Sequence, residues 1–299
     1  MAPIAWVMNL DLLHYFLLYF HKQEARQMKT TGKTVNIPIL EISAQERAEN
    51  RLTPESVDAG ARLLREAGLV VIESVLPRDW IAKLDIAMEE VLSNEENGHE
   101  GEHPMLKMPF MDPRIIDNPF AMPILKAAMG EKIFAYLPYG CNSTRPGSDI
   151  QWIHRDSGQL FPELPFALPV STIVVNIPLV DFTVENGATE VWPGSHLIID
   201  DPTVRNSPYN VCDEERAARL PSFQLEMPAG SVVVRDMRCW HRAMPNRSQT
   251  VRHMLALVYF RKFHHSPDAP GIFRARVPEE IWSNMSEQTK EVYRFQTHD

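Results

Sequence analysis

The texture of this chain changes near residue 149, and that change restricts the folds open to it. Before it, the pattern is helical. Thr53-Pro54-Glu55 opens a helix, with Thr as cap and Pro in the first turn, and Gly68 closes it. Asp79 is expected to cap a second helix reaching about residue 92, with Trp80, Leu84, Ala87, Met88 and Val91 along one side. Asn118-Pro119 opens a third that stops near Gly130. Residues 69–73 and 134–139 read as strands between these helices. After residue 149 the chain breaks into short β-rich runs at 171–179, 223–226, 231–235 and 251–261. Turn signals separate them: Glu185-Asn186-Gly187 is of the hairpin kind, and Pro193-Gly194-Ser195-His196 is another. A last helix is expected from Val277-Pro278-Glu279 to about Phe295. Helices first and many short strands after predict a mainly β fold with flanking α. The core is a jelly roll or barrel, propped by N-terminal helices.

The 299 residues divide into an apolar extension, 1–27, and a single domain over 28–299. Residues 6–20 are apolar and aromatic, but Asp11 and His14 interrupt them. The run is too short for a stable membrane span and lacks the flanks of a signal peptide. Leu10, Leu13, Leu17 and Phe20 share a helical face. Docking on the body, contact with a membrane surface and a mispredicted start are all open; the reading adopted is a dispensable extension. The formal charge of −9, without a basic stripe, excludes nucleic acid as a partner. Three widely spaced cysteines, with no CxxC pair, point to a reducing, cytoplasmic setting. Prolines are many, 24 against 13 glycines, and cluster at 104–123 and 162–169. Such stretches read as ordered, irregular loops, where binding residues collect.

The chemistry concentrates in His154-Arg155-Asp156, His241 and Arg252. Strand side chains alternate, so His154 and Asp156 share a face while Arg155 points away. Among 11 histidines one HxD triplet is also open to a structural reading. Context adds to it: residues 149–153 have strand character and a Pro-rich loop follows, which places the pair at a strand end near the mouth of a barrel. His241 lies in 232–241, read as one strand leaving the Ala229-Gly230 turn. On a regular strand Cys239 would share its face; it reads as a small buried residue. Arg252 opens the next strand and shares a face with Met254, Ala256 and Val258. A buried arginine there is costly unless it meets an anion. A dicarboxylate would supply one through paired hydrogen bonds. Two imidazoles and a carboxylate, with open positions opposite, make the facial triad of non-haem Fe(II) oxygenases.

The other histidines read as structural. His196 belongs to a turn, His253 to packing and His264-His265 to the surface. His99 and His103 belong to a solvated acidic loop, residues 95–103. Trp152, Phe161 and Phe166 flank the ligand pair; lining a substrate pocket and core packing are equally open for them.

Together, His154-x-Asp156, Glu185-Asn-Gly-Ala-Thr189 running into Pro193-Gly-Ser-His196, and His241 followed eleven residues later by Arg252 resemble the phytanoyl-CoA dioxygenase-like branch of the Fe(II)/2-oxoglutarate oxygenases, over roughly residues 61–263. The resemblance implies a double-stranded β-helix core with His154, Asp156 and His241 as iron ligands. It implies Arg252 as partner of the distal 2-oxoglutarate carboxylate. Thr189 matches a position that hydrogen-bonds this cosubstrate, and Gln151 a glutamine that contacts it in some fungal relatives. Fe(II), 2-oxoglutarate and O2 would then oxidise a C–H bond. The substrate's position decides among hydroxylation, desaturation, ring closure, epoxidation and endoperoxide formation. Asp156 argues against a halogenase, which needs a small residue there. Pro/aromatic loops without clustered Lys or Arg favour a small, largely apolar substrate of natural-product biosynthesis. A fatty acyl-CoA 2-hydroxylase is an alternative. So is a cupin-like isomerase or binding module that does not use 2-oxoglutarate, and so is a lipid-surface protein acting through residues 6–20. Relatives are often dimers, and the C-terminal helix offers a homodimer interface.

Overall fold

Runs of valine and isoleucine build the main sheet of this protein, whose computed structural model describes residues 27–30, 33–91, 99–199, 212–265 and 275–298. Strands β1 (Gln27–Thr30) and β2 (Lys33–Asn36) form a separate two-stranded ribbon. Along the chain follow β3 (Leu69–Ile72), β4 (His99–Glu102), β5 (Ile133–Ala135), β6 (Gly140–Thr144) and β7 (Thr172–Pro178). Then come β8 (Glu190–Val191), β9 (Phe223–Gln224), β10 (Val232–Asp236), β11 (His241–Arg242) and β12 (Arg252–Arg261). The large sheet has seven strands in the order β3-β10-β7-β12-β6-β4, with β5 also paired to β12. The small sheet runs β11-β8-β9. Pairing within both sheets is antiparallel. Two such sheets, with helices on the outer face of the larger, form the expected jelly-roll core and helical buttress.

Period-two alternation divides the large sheet's side chains between two cores. Val232 and Val234 of β10, Ile173, Val175 and Ile177 of β7, and Leu255, Leu257 and Tyr259 of β12 face the helical layer. There they meet Leu64, Phe120, Ile124 and Leu125. This cluster draws residues from Leu40 to Tyr293. The opposite face carries Val233 and Met254, which pack with Phe182, Val191, Phe223 and Leu225 between the sheets. Arg235 and Arg252 occupy that same inner face by alternation, so the fold itself turns two arginines toward its interior.

Local signals explain the buttress. Thr53 caps the helix Pro54–Ala67 by accepting from Ser56 N–H, Pro54 stands in its first turn, and Gly68 ends it at φ +81°. A Cβ on Gly68 would also strike the His196 ring, so the site requires glycine twice over. Asn118 Oδ1 accepts from the N–H groups of Phe120 and Ala121 and starts the helix Ala121–Met129.

Several expectations need correction. The second helix runs Arg78–Glu89 after Pro77, with no side-chain cap; Asp79 lies in its first turn, where an acid suits the helix dipole. Residues 149–153 join no strand ladder. Residues 134–139 split into the end of β5 and an irregular link to β6, a strand not anticipated. The last helix is two, Glu279–Asn284 and Glu287–Val292, because Ser286 caps anew by accepting from Thr289 N–H. Part of the expected acidic loop is strand β4 on the sheet edge. The segment 6–20 lies outside the described residues. No described helix is long and apolar enough to cross a membrane.

Candidate metal centre

His154 and His241 are direct cross-strand partners. His154 N–H donates to His241 C=O at 3.0 Å, and His241 N–H returns the bond at 2.9 Å. This isolated bridge adds the His154 segment to the small sheet beside β11. Residues opposed in such a pair project to the same side. The two rings accordingly sit 4.3 Å apart, centre to centre. Asp156 N–H donates to Met237 C=O at 2.9 Å, which brings the carboxylate beneath them. Asp156 Oδ1 lies 3.4 Å from His241 Nε2 and 4.0 Å from His154 Nε2. One ligand atom from each residue lies within 4.8 Å of the others, a spacing that suits one ion.

The route to His241 differs from a single strand through 232–241. β10 ends at Asp236, and the chain turns and crosses to the small sheet. Arg238 holds this corner. It pairs with Asp236 at 2.7 Å, both being buried, and Cys239 N–H donates to Asp236 C=O at 2.9 Å. Cys239 therefore does not follow the alternation assumed for it. Its thiol is buried against Trp192 C=O and Ser195 Oγ, in keeping with a packing role.

Both imidazoles are oriented from behind. His154 Nδ1 lies 3.0 Å from Trp152 C=O and His241 Nδ1 lies 3.1 Å from Cys239 C=O. A proton on each Nδ1 satisfies these carbonyls and leaves the Nε2 lone pairs for a metal, the usual support of ligand histidines. Burial, reinforced by the charge of His241, lowers the pKa of His154 and favours its neutral, ligating form. Burial alone would raise the Asp156 carboxyl. The charges of His241 and Arg235 outweigh that and hold it well below the usual carboxylate range.

A cavity of about 230 Å³ opens over these side chains, with Thr189, Gln151 and Arg252 among its walls. Arg252 is 2% exposed. Its Nη2 donates to Thr144 Oγ1 at 2.6 Å and its guanidinium lies 4.4 Å over the Phe182 ring. Its Nε and Nη1 are buried without a hydrogen-bond partner among the described residues. Burial lowers its pKa to about 10, so it stays cationic near neutrality. Unmet buried donors cost roughly 1–3 kcal/mol apiece. A carboxylate entering the cavity would satisfy them, so the residues present fit a dicarboxylate beside a divalent ion. Gln151 is less free than expected: its Oε1 accepts from Ala243 N–H at 3.1 Å.

The structure also adds residues not singled out in the sequence. Thr144 braces Arg252. Arg235, on the cavity wall, pairs with Asp156 Oδ2 at 2.7 Å. The signal was available: Arg235 keeps the parity of Val233 on the inner face, and the argument applied to Arg252 holds for it unchanged. Trp152, Phe161 and Phe166 neither line the cavity nor join the core, being 54%, 49% and 58% exposed. Arg238 Nη1 ties both ends of the loop that carries Phe161 and Phe166 by donating to Gln159 Oε1 and Leu168 C=O. That fastening leaves Leu160, Phe161 and Phe166 exposed on the stretch between.

His103, His196, His253 and His265 have their partners outside the centre. His196 is buried in its turn with Nε2 3.1 Å from Arg65 C=O, and His253 is buried beside Ser143 Oγ. His103 Nδ1 lies 3.1 Å from Tyr139 C=O. His265, expected at the surface, stacks on Phe295 at 3.5 Å and meets the Tyr136 hydroxyl.

The family model of phytanoyl-CoA dioxygenase (PhyH) matches residues 64–254. Dioxygenase af480 of Aspergillus fumigatus is 29% identical over 175 residues, or 58% of this chain; the match spans 52% of that relative. Multifunctional dioxygenase ausE of Penicillium brasilianum is 26% identical over 262 residues, 81% of this chain and 84% of its own. Iron/alpha-ketoglutarate-dependent dioxygenase ausU of Aspergillus calidoustus is 26% identical over 62% of this chain and 64% of its own. Among solved structures, the non-haem alpha-ketoglutarate-dependent carbocyclase SnoK from nogalamycin biosynthesis superposes with a TM-score of 0.53. It shares 24% identity, over 71% of this chain and 85% of that one. This last likeness bears on the fold alone.

Proposed function

The chain belongs to the phytanoyl-CoA dioxygenase family, and from that premise we propose an oxygenase that uses Fe(II), 2-oxoglutarate and O2 to oxidise a C–H bond of a small, largely apolar molecule of natural-product biosynthesis. His154, Asp156 and His241 hold the iron. The observation that carries this reading is the joining of two features in one cavity: three ligand atoms within 4.8 Å, and a buried arginine with unmet donors. A cupin-like isomerase without 2-oxoglutarate would leave Arg252 unexplained.

Each residue has a task in this scheme. The Nδ1 protons of His154 and His241, given to backbone carbonyls, keep both rings aimed with Nε2 toward the ion. Arg252 takes the distal carboxylate of 2-oxoglutarate through Nε and Nη1, while Thr144 fixes its Nη2. Thr189 and Gln151 line the same space and contact the cosubstrate. Val233, Leu225, Met227 and Met254 supply apolar wall that excludes water. When bound, iron and 2-oxoglutarate would activate O2, which is the oxidant: 2-oxoglutarate gives two electrons and leaves as succinate and CO2, and the substrate C–H bond gives the other two.

The organic substrate lies over the mouth. The cavity is smaller than the roughly 300–1,000 Å³ usual for ligand sites, and the cosubstrate fills part of it. Exposed Trp152, Phe161 and Phe166 flank the ligand pair along the chain and offer an apolar rim. Such a rim suits a ring-rich apolar compound better than a CoA thioester, whose phosphates need cationic partners. The contiguous cluster from Leu40 to Tyr293 supports one domain over 28–299, with 1–27 as an extension. The family resemblance supports a homodimer, and the cysteines a cytoplasmic location; light scattering that returns a monomer mass would overturn the dimer.

Two measurements test the function. Adding Fe(II) and 2-oxoglutarate without oxygen is expected to give a weak visible charge-transfer band. In air, the right substrate is expected to stimulate succinate release. Absence of the band from folded protein overturns the proposal.

A further inference from the structure

We propose that Arg235 is a positioning residue that decides which oxygen of Asp156 faces the metal. This rests on the reading of His154, Asp156 and His241 as ligands. The Arg235 side chain is 7% exposed and its Nη2 donates to Asp156 Oδ2 at 2.7 Å. The other oxygen, Oδ1, is the one turned toward both imidazoles, 3.4 Å and 4.0 Å from their Nε2 atoms. The carboxylate is thus divided: one oxygen is engaged by a guanidinium and one is presented to an ion.

The second contact of Arg235 does not alter this. Its Nη1 lies 3.2 Å from His241 Nδ1. That nitrogen carries its proton toward Cys239 C=O when Nε2 is the ligand, so it offers Arg235 no lone pair. Asp156 is therefore the acceptor that defines the orientation of Arg235. The base is rigid. β10 is hydrogen-bonded on both sides, with Arg235 opposite Leu69 of β3 and Val174 of β7. Groups fixed on central strands set site geometry more closely than groups on loops. Held this way, Asp156 gives a single donor atom. Were both oxygens free to chelate, one of the positions that the triad leaves open would close. Arg235 so keeps room at the metal for the cosubstrate.

The test uses the full chain, free of 2-oxoglutarate, titrated with Co(II) by calorimetry and visible absorption. Binding of one Co(II) by the wild type checks the ligand reading itself; no binding there fails that reading, whatever Arg235 does. Given binding, R235M is expected to weaken it about 10–100-fold, as loss of a group behind a ligand does, and to change the Co(II) spectrum. R235K, which keeps a cation and one donor for Oδ2, is expected to recover much of the loss. In a D156N background R235M is expected to have no further effect. Wild-type affinity in folded R235M overturns the proposal. So does an equal loss in R235M and R235K, or an undiminished loss in the D156N background. If R235M does not fold, R235Q is read in the same way.

Discussion

Replacing Arg252 by Met separates binding of the cosubstrate from stability of the fold. In the free protein the guanidinium has one hydrogen bond, to Thr144, and a face-on contact with Phe182. These are worth about 1 kcal/mol for the bond and about 0.5–2 kcal/mol for the cation–π contact. Against them stand two buried donors without partners, at roughly 1–3 kcal/mol each. The sets oppose each other, so R252M is expected to leave the ligand-free protein within about 2 kcal/mol of wild type. 2-Oxoglutarate removes the unfavourable set. A charge-assisted bond is worth about 1.5–3 kcal/mol, so losing the anchor raises the dissociation constant by about 10- to 150-fold. The assay is thermal or chemical denaturation with Mn(II) in the absence of oxygen, with and without 2-oxoglutarate. At 100 times its own dissociation constant the wild type gains about 2.7 kcal/mol. At that same concentration R252M would gain only about 1.4 kcal/mol for a tenfold loss and about 0.3 kcal/mol for a 150-fold loss. An equal gain in both proteins refutes the reasoning. A fall of more than about 3 kcal/mol in the ligand-free variant would refute it too, by making Arg252 a structural group.

Other expectations rest on the same geometry. Asp156→Ala removes the charged ligand and is expected to abolish succinate release and one-site Co(II) binding; normal turnover would refute the assignment. Trp152→Ala and Phe161→Ala should raise the KM for the organic substrate and leave that for 2-oxoglutarate unchanged, with stability shifted by no more than about 0.5 kcal/mol because both are exposed. Leu257→Ala, in the sheet–helix core, is expected to cost about 2–5 kcal/mol in denaturant titrations. Acid should weaken the metal-free fold. Burial lowers the pKa values of His154, His196 and His253 below 6.5, so unfolded chains bind more protons and stability present above pH 6.5 falls as pH drops. Asp85 acts the other way, since burial and then Glu89 raise its pKa to about 6. With His264, whose pKa burial also lowers, four histidines against one carboxyl predict a lower denaturation midpoint at pH 5.5 than at pH 7.5.

Much of this molecule was legible in its sequence because the relevant rules are local. Thr53, Pro54 and Gly68 mark a helix by their own backbone needs. The alternation of β12 places Arg252 inward before any partner is known. Legibility ended where the determinant lies far along the chain. Residues 149–153 look like a strand, but they form no regular ladder: Gln151 N–H reaches Ala243 C=O, and the one β-bridge is made just beyond, by His154 with His241. Residues 232–241 look like one strand, but the Arg238–Asp236 pair turns the chain into another sheet. Asp79 resembles a cap, yet Pro77 precedes the first turn and fixes the start by its φ. Trp152, Phe161 and Phe166 were ambiguous for a physical reason: large apolar side chains serve a core and a binding rim equally well, and only exposure separates the two.

The mutual pairing of His154 and His241 makes the centre unforgiving in one respect. A slip of that ribbon by a single residue would turn one imidazole to the reverse side, where no adjustment of rotamer could bring it back. The ribbon is short: a lone bridge beside a two-residue strand. An ion gripped by both rings would pin its alignment as a bolt pins two plates. Loading the metal would then steady the thread of the small sheet, which two backbone hydrogen bonds between His154 and His241 already set.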